Sequence, residues 1–387
     1  MESPAAKRHW EIDVLRGLML VLMTLTHLPT RLTDPLGQPF GFVSAAEGFV
    51  LLSAFMAGLV YSRIGHGQGL SAMRRGFWRQ ALKIYMSQAA TLLFLFTFIT
   101  ALGLRIDQPA LRDLLSYYLT DPHHAFLYSM LLVYEPPLLD ILPMYVFFML
   151  LSPWVLSHAL RRGWTLVIAT SIGVWVLAQF GLSEWLYQRA VQHLGLPVPF
   201  RELGAFNALA WQLLWFIGLW IGASRSAPDA KPLRFANWLL AVSAAAVLYG
   251  IYWRHYGPNG QAPFGGDSDL NLLFDKWQLG PLRLINLAAL SILVLRFGPW
   301  LLARLPRPRW LEAMGTASLP VFCAHLAAVL LVLAIFGDSH TVRPWWGDAL
   351  LLTVVFAALY GVARAVLWRT KRAPAGVGSA ARKWKLS

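Results

Sequence analysis

The sequence predicts an all-α protein that crosses a membrane many times, and three observations predict it. Of the 387 residues, 57% are hydrophobic and 13% are charged, and that charged share is about half of what soluble proteins carry. Runs of roughly 20 apolar residues, the length that crosses a hydrocarbon core, follow one another along the chain. Because an unpaired backbone amide is costly in lipid, each run is expected to form a helix.

The apolar runs predict ten spans in a polytopic helical bundle. In chain order they cover residues 12–29, 41–62, 82–104, 140–159, 164–181, 205–223, 235–253, 282–303, 317–337 and 346–368. We expect residues 1–369 to form a single transmembrane domain. Residues 370–387 have the composition of a disordered, basic cytoplasmic tail.

The distribution of charge orients the predicted bundle. Most of the 33 basic residues fall in segments that ten alternating spans place on one side, and most of the 19 acidic residues fall on the other. The positive-inside rule then predicts that both termini are cytoplasmic. The net charge of +14 is therefore a topology signal. The lipid bilayer is a predicted partner, and nucleic acid is not.

Two segments on the predicted outer side are long. The segment 105–139 contains the amphipathic stretch PALRDLLSYYLT and the apolar patch AFLYSMLLVY. Because the patch is too short to span, it predicts a re-entrant or interfacial helix. The segment 254–281 is rich in Gly and Pro and predicts an irregular loop. Five aromatic residues of these segments are candidates for sugar stacking or for an aromatic belt: Tyr117, Tyr118, Trp253, Tyr256 and Trp277.

The first span contains three ionisable residues, Asp13, Arg16 and His27. At 100° per residue they fall along one helix face, with Arg16 and His27 about 16 Å apart. Ionisable groups inside a membrane are candidates for a functional site. The alternatives are that Asp13 and Arg16 form an interfacial pair that fixes the helix end, and that His27 is a packing histidine.

Other spans offer partners for this polar face. Glu47 lies about two turns deep in the second span, as does His27 in the first, so it is a candidate to orient the imidazole. Pairing of Glu47 with a basic or backbone group is the alternative. His325, near the middle of the ninth span, has either a direct role or a helix-bridging one. Further polar positions lie at the predicted outer ends of spans: Tyr145, Arg283 and Asn286.

A basic helix face precedes the third span. Arg75, Arg79 and Lys83 recur every four residues in SAMRRGFWRQALKIYMSQ. A solvated positive-inside face explains them, and so does a binding surface for the phosphates of coenzyme A. The sequence contains no glycine-rich phosphate loop, no zinc-ligand spacing and no GxSxG elbow. No metal and no permanently bound cofactor is predicted.

These segments resemble a known family. RGLMLVLMTLTH contains Arg-x10-His, and RRGFWRQALKIY is similar to the arginine-rich motif of the acyltransferase-3 superfamily. The OpgC branch, which succinylates osmoregulated periplasmic glucans, is closer still. Five blocks in order resemble it: IDVLRGLML, FVSAAEGFVLLSAFMAGLVYSR, LPMYVFFMLLSPWVL, GPLRLINLAAL and MGTASLPVFCAHL. KIYM departs from the superfamily, which tends to have proline after the aromatic residue.

The resemblance implies a membrane-bound acyltransferase of the bacterial inner membrane. His27 takes the catalytic position and Arg16 the basic position below it; Glu47 and His325 fall in family blocks. Cytosolic acyl-CoA, expected to be succinyl-CoA, is the implied co-substrate, with its nucleotide on Arg75, Arg79 and Lys83. A periplasmic glucan is the implied acceptor.

Within this mechanism His27 is the expected general base, and the oxyanion donor is open, with His325 and Tyr145 as candidates. A succinyl donor needs a cation near its carboxylate, for which Arg283 is the candidate, with Asn286 beside it. Acyl transfer to another surface polysaccharide is one alternative. A glycan or lipid-linked transporter without catalysis is the other, since it also needs a polar stripe.

Overall fold

The protein is described by a computed structural model that covers residues 10–227, 233–257, 264, 268–338 and 343–372. Every regular element in these ranges is helical. Ten helices are long and are numbered in chain order. They are α1 (Trp10–His27), α2 (Ala45–Gln68), α3 (Leu70–Phe94), α4 (Ile141–Arg162), α5 (Thr165–Gln179), α6 (Ala208–Ser224), α7 (Asn237–Tyr256), α8 (Pro281–Leu302), α9 (Ser318–Phe336) and α10 (Trp345–Arg372).

A long helix overlaps each of the ten predicted spans, and the prediction of an all-α, multi-pass membrane protein is confirmed. Within the described ranges, six helices are long and apolar enough to cross a membrane. A seventh span results if α5 and the helix Leu182–Leu194, which meet at a bend of 78°, are counted together. Helix α1 carries three charged residues, and α6 has 17 residues. The number ten and the side of the termini remain predictions.

The segment between α3 and α4 is folded against the bundle. Helix α3 continues through a π-helical turn, Leu95–Ile99, into Thr100–Ile106. Three short helices follow, and each is too short to cross a membrane: Pro109–Leu114, Ser116–Thr120 and Pro122–Met130. Their buried residues form a second hydrophobic core with the π-helical turn and α9. The helix Pro122–Met130 covers the first part of the apolar patch, and its re-entrant or interfacial position stays a prediction.

The chain ends differ slightly from the prediction. Helix α10 extends to Arg372, so the first residues of the predicted tail are helical because the apolar helix continues through its basic last turn. The rest of that tail, 373–387, lies outside the described residues. In the segment 254–281, α7 ends at Tyr256 and Asp269–Phe274 forms a 3-10 helix.

Glycines allow the closest helix contacts. A Cβ on Gly58 of α2 would overlap the carbonyl of Leu219 in α6, and one on Gly222 would overlap the carbonyl of Phe55. Backbones that touch in this way are typical of helix pairs in membranes.

Glycines also allow a close backbone contact at the start of α1. A Cβ on Gly17 of α1 would overlap the carbonyl of Leu311 in the short helix Arg309–Thr316, and one on Gly315 would overlap the carbonyl of Asp13. The two backbones therefore touch on both sides of Arg16. This contact holds the polar face of α1 against the bundle.

The bundle has two ends that matter for the site. At the loop end, α1 finishes, α2, α4 and α8 begin, and the segments 131–140, 199–207 and 268–280 lie together. At the opposite end, here the Gly69 end, α1 begins and α2 and α3 meet at Gly69. The Arg16-to-His27 face of α1 runs from the Gly69 end to the loop end.

Candidate functional site

Two histidines from α1 and α9 meet inside the bundle. His27 Nδ1 lies 3.1 Å from His325 Nε2, and the rings stack with centroids 5.2 Å apart. His325 is fully buried. The sequence predicted both residues as site candidates but not their contact, since they are 298 positions apart in the chain.

The hydrogen bonds fix which nitrogen of each ring carries the proton. His325 Nδ1 lies 3.3 Å from the carbonyl oxygen of Phe322, which can only accept, so this nitrogen donates. His325 Nε2 then has a lone pair and accepts the Nδ1–H of His27. The Nε2 of neutral His27 is left with a lone pair. This tautomer is the one that can take a proton from a substrate.

Two cavities lie beside this pair: His27 lines one of them, and Phe322, whose ring packs against His325, lines both. The His27 cavity, about 340 Å³, lies at the loop end and is lined by residues that include His27, Glu135, Lys276 and Trp277. The Arg16 cavity, about 200 Å³, lies toward the Gly69 end and is lined by Arg16, Tyr61 and Tyr145 among others. Ile141 and Phe322 line both cavities and form the wall between them.

Arg16 is held in the wall of its cavity. Its Nη2 donates to Ser318 Oγ at 2.5 Å, and its guanidinium lies 5.9 Å from the centroid of the Phe49 ring. The hydroxyls of Tyr145 and Ser53 are buried next to each other in the same wall. The cavity therefore combines one cation with two buried hydroxyls.

Asp13, the third residue of the polar face, lines neither cavity. It is buried where Gly315 of the short helix Arg309–Thr316 touches its backbone carbonyl. This position fits the interpretation in which Asp13 helps to fix the end of α1.

The structure corrects the expected role of Glu47. Glu47 Oε1 accepts from Arg283 Nε at 2.8 Å and from Arg283 Nη2, and Oε2 accepts the backbone N–H of Ser44 at 3.0 Å. Glu47 therefore caps α2 and pairs with α8, the alternative that the sequence left open. His325 occupies the place beside His27 that Glu47 was expected to hold. Equal depth in two spans did not make those two residues neighbours.

The two polar residues at the start of α8 are also structural. Arg283 is 1% exposed and is enclosed by Glu47 and the carbonyl of Phe274, so it is not the cation that faces an acyl carboxylate. Asn286 Oδ1 accepts the backbone N–H of Phe42 at 2.9 Å. Neither residue lines the His27 cavity or the Arg16 cavity.

The basic stripe of α3 lies outside both cavities. Arg75, Arg79 and Lys83 are exposed, whereas Gln80 and Ile84 of the same helix line the Arg16 cavity. The stripe and the cavity therefore occupy neighbouring faces of one helix.

Several residues of the His27 cavity come from loops and were missed by sequence reasoning. Burial and the nearby charge of Asp140 raise the pKa of Glu135 well above its usual range. Asp140 Oδ2 accepts the N–H of Ala205 at 2.9 Å. Gly204, with φ of 85°, passes so close that a Cβ would overlap the Glu135 carboxyl. Acidic residues in a predicted outer loop give no periodic signal, so only folding brings them together.

Lys276 completes the cavity from a third loop. Its ammonium lies 4.5 Å from the centroid of Trp277 and 5.7 Å from that of Phe206. Burial lowers the pKa of Lys276. Of the five aromatic residues that the sequence offered for sugar stacking, Trp277 alone lines the His27 cavity.

Comparison with known proteins gives one match. The sequence model of a family described as OpgC protein matches residues 8–371. No curated protein and no solved structure matches the chain.

Proposed function

The chain belongs to the OpgC protein family, which makes it a membrane-bound acyltransferase, and we propose the following reaction for it. An acyl group, in our proposal succinyl, moves from cytosolic acyl-CoA to a hydroxyl of a periplasmic glucan at the bacterial inner membrane. Acyl-CoA is a co-substrate, and no cofactor stays bound. In this orientation the Gly69 end faces the cytosol and the loop end faces the periplasm.

The observation that carries this proposal is the position of His27, which lines the His27 cavity while its Nδ1 faces His325 Nε2 at 3.1 Å. In the tautomer assigned above, its Nε2 carries the lone pair. The glucan hydroxyl gives its proton to His27 Nε2 while its oxygen attacks the thioester carbonyl carbon. The intermediate collapses, the C–S bond breaks, and coenzyme A leaves as the thiol with the proton that His27 had taken. His325 keeps the other ring nitrogen engaged throughout.

The Arg16 cavity suits the donor. The pantetheine arm would enter it from the Gly69 end, past Arg16, and bring the thioester to the wall formed by Ile141 and Phe322. The attack places negative charge on the carbonyl oxygen, and a positioned donor there lowers the barrier. Both ring nitrogens of His325 are engaged, so Tyr145, whose buried hydroxyl lies in the wall of the Arg16 cavity, is the better oxyanion donor.

The nucleotide of coenzyme A requires cations outside the membrane. We propose that Arg75, Arg79 and Lys83 bind its phosphates, as the sequence suggested. The stripe lies on the helix that also lines the Arg16 cavity, which supports this route for the donor.

The His27 cavity suits a sugar. Glu135 and Glu202 supply hydroxyl partners, and Trp277 supplies a flat apolar ring. Asp140 adds a further hydrogen-bonding group. The catalytic nitrogen and these groups share one cavity, so a bound sugar hydroxyl can reach His27.

The test uses the full chain in proteoliposomes with acyl-labelled succinyl-CoA and purified periplasmic glucan. We expect label on the glucan with the wild type and a loss of at least 100-fold with His27→Ala. His66→Ala is the matched control, because His66 is exposed at the end of α2. Label transfer that persists in His27→Ala would exclude His27 as the base. Glycan movement without any label transfer would favour the transporter alternative.

A further inference from the structure

One cation of the His27 cavity, Lys276, forms no salt bridge among the described residues. The charges of Glu47 and Asp140 act on it from farther away. Its neighbours are the rings of Trp277 and Phe206, which hold an ammonium without neutralising it. It nevertheless lines the same cavity as His27.

The other cations near the site are engaged. Arg283 is enclosed with Glu47. Arg16 lines the other cavity and donates to Ser318. Arg201 lines the His27 cavity but pairs with Glu202 at 3.4 Å, and its side chain is 84% exposed. Lys276 is therefore the cation that a ligand in the His27 cavity can still engage.

We propose that Lys276 binds the free carboxylate at the far end of a dicarboxylic acyl group and so selects the acyl donor. This inference rests on the proposed acyl transfer. With the thioester at the Ile141–Phe322 wall, the acyl chain points away from coenzyme A and into the His27 cavity. A carboxylate at its end then enters the cavity that holds Lys276.

The acidic residues of the cavity are compatible with a carboxylate bound at Lys276. Burial raises the pKa of Glu135 well above its usual range, which favours the neutral carboxyl, and a neutral carboxyl can donate a hydrogen bond to a carboxylate. Asp140 directs Oδ2 to the N–H of Ala205, and Glu202 pairs with Arg201. Burial lowers the pKa of Lys276, and a carboxylate bound beside the ammonium would favour its charged form.

The test compares two donors of equal carbon number, succinyl-CoA and butyryl-CoA, which differ in the terminal carboxylate. The full chain is assayed in proteoliposomes with purified glucan, and kcat/KM is measured for each donor. We expect the wild type to prefer succinyl-CoA. Lys276→Met keeps most of the length of the side chain without its charge. It should lower kcat/KM for succinyl-CoA by roughly 10- to 100-fold more than kcat/KM for butyryl-CoA, the range of a charged hydrogen bond.

Lys276→Arg is the matched control, since it keeps the charge and should retain most of the preference for succinyl-CoA. It also tests the idea if Lys276→Met does not fold. A wild type that uses both donors equally would overturn the inference, and so would an equal loss for both donors in Lys276→Met. Either result leaves acyl transfer intact. The proposed function itself fails only if neither donor is used, or if transfer survives His27→Ala.

Discussion

Removing the partner of the proposed base separates a tautomer effect from a packing effect. In His325→Phe the ring volume stays, but the acceptor for the Nδ1–H of His27 is lost. The imidazole can then move its proton to Nε2, and in that tautomer it cannot accept a proton from the glucan hydroxyl. In His325→Gln the side-chain carbonyl lies near the position of the lost Nε2 and can still accept from His27.

The magnitude follows from the single hydrogen bond of 3.1 Å. A buried donor left without a partner costs about 1–3 kcal/mol. That free energy is the preference for the productive tautomer, and it corresponds to roughly 5- to 150-fold. We expect kcat and kcat/KM to fall together by this factor in His325→Phe, because the fraction of competent enzyme changes and donor binding does not.

The assay is the initial rate of acyl transfer from acyl-CoA to glucan, with both variants checked for folding by size-exclusion chromatography and thermal unfolding. His325→Gln should lie within a few-fold of the wild type. The mechanism is refuted if folded His325→Phe is as active as the wild type. It is equally refuted if His325→Gln is as impaired as His325→Phe, since that result would require the imidazole of His325 itself.

Three further expectations concern stability. Glu47→Ala or Arg283→Ala should each lower the free energy of unfolding by about 3–5 kcal/mol, since either leaves a buried charge unpaired; a thermal melt that matches the wild type in both would contradict the structural role. Gly222→Leu should abolish the α2–α6 contact and the yield of folded protein, whereas Gly173→Leu, with nothing near its Cβ, should not; equal yields would disprove the close contact. Glu135 has a folded pKa above its unfolded value, so its contribution to stability is fully present below the unfolded pKa, about 4.5, and is lost as pH rises toward the folded pKa. The melting temperature should therefore fall as pH rises from 5 to 8, and this fall should be smaller in Glu135→Gln; identical profiles would exclude the effect.

Composition and periodicity were enough to predict the class of protein and much of the polar face of α1. Long apolar runs can satisfy their backbone amides in lipid only as helices, so composition was enough for an all-α membrane protein. Helical periodicity placed Arg16 and His27 on one face of α1, and both line cavities inside the bundle. The resemblance to the OpgC family was confirmed over residues 8–371.

Which helices are neighbours could be read from the tertiary structure and not from the sequence. All the apolar runs satisfy lipid equally well, so hydropathy cannot say that α9 rather than α2 brings a side chain to His27. In the structure Glu47 pairs with Arg283, and His325 lies beside His27, where Glu47 was expected. Lys276 and Glu135 belong to loops without periodicity, and their meeting around one cavity depends on how the helices position those loops. Local order follows from repeated local contacts, whereas the site depends on contacts between residues far apart in the chain.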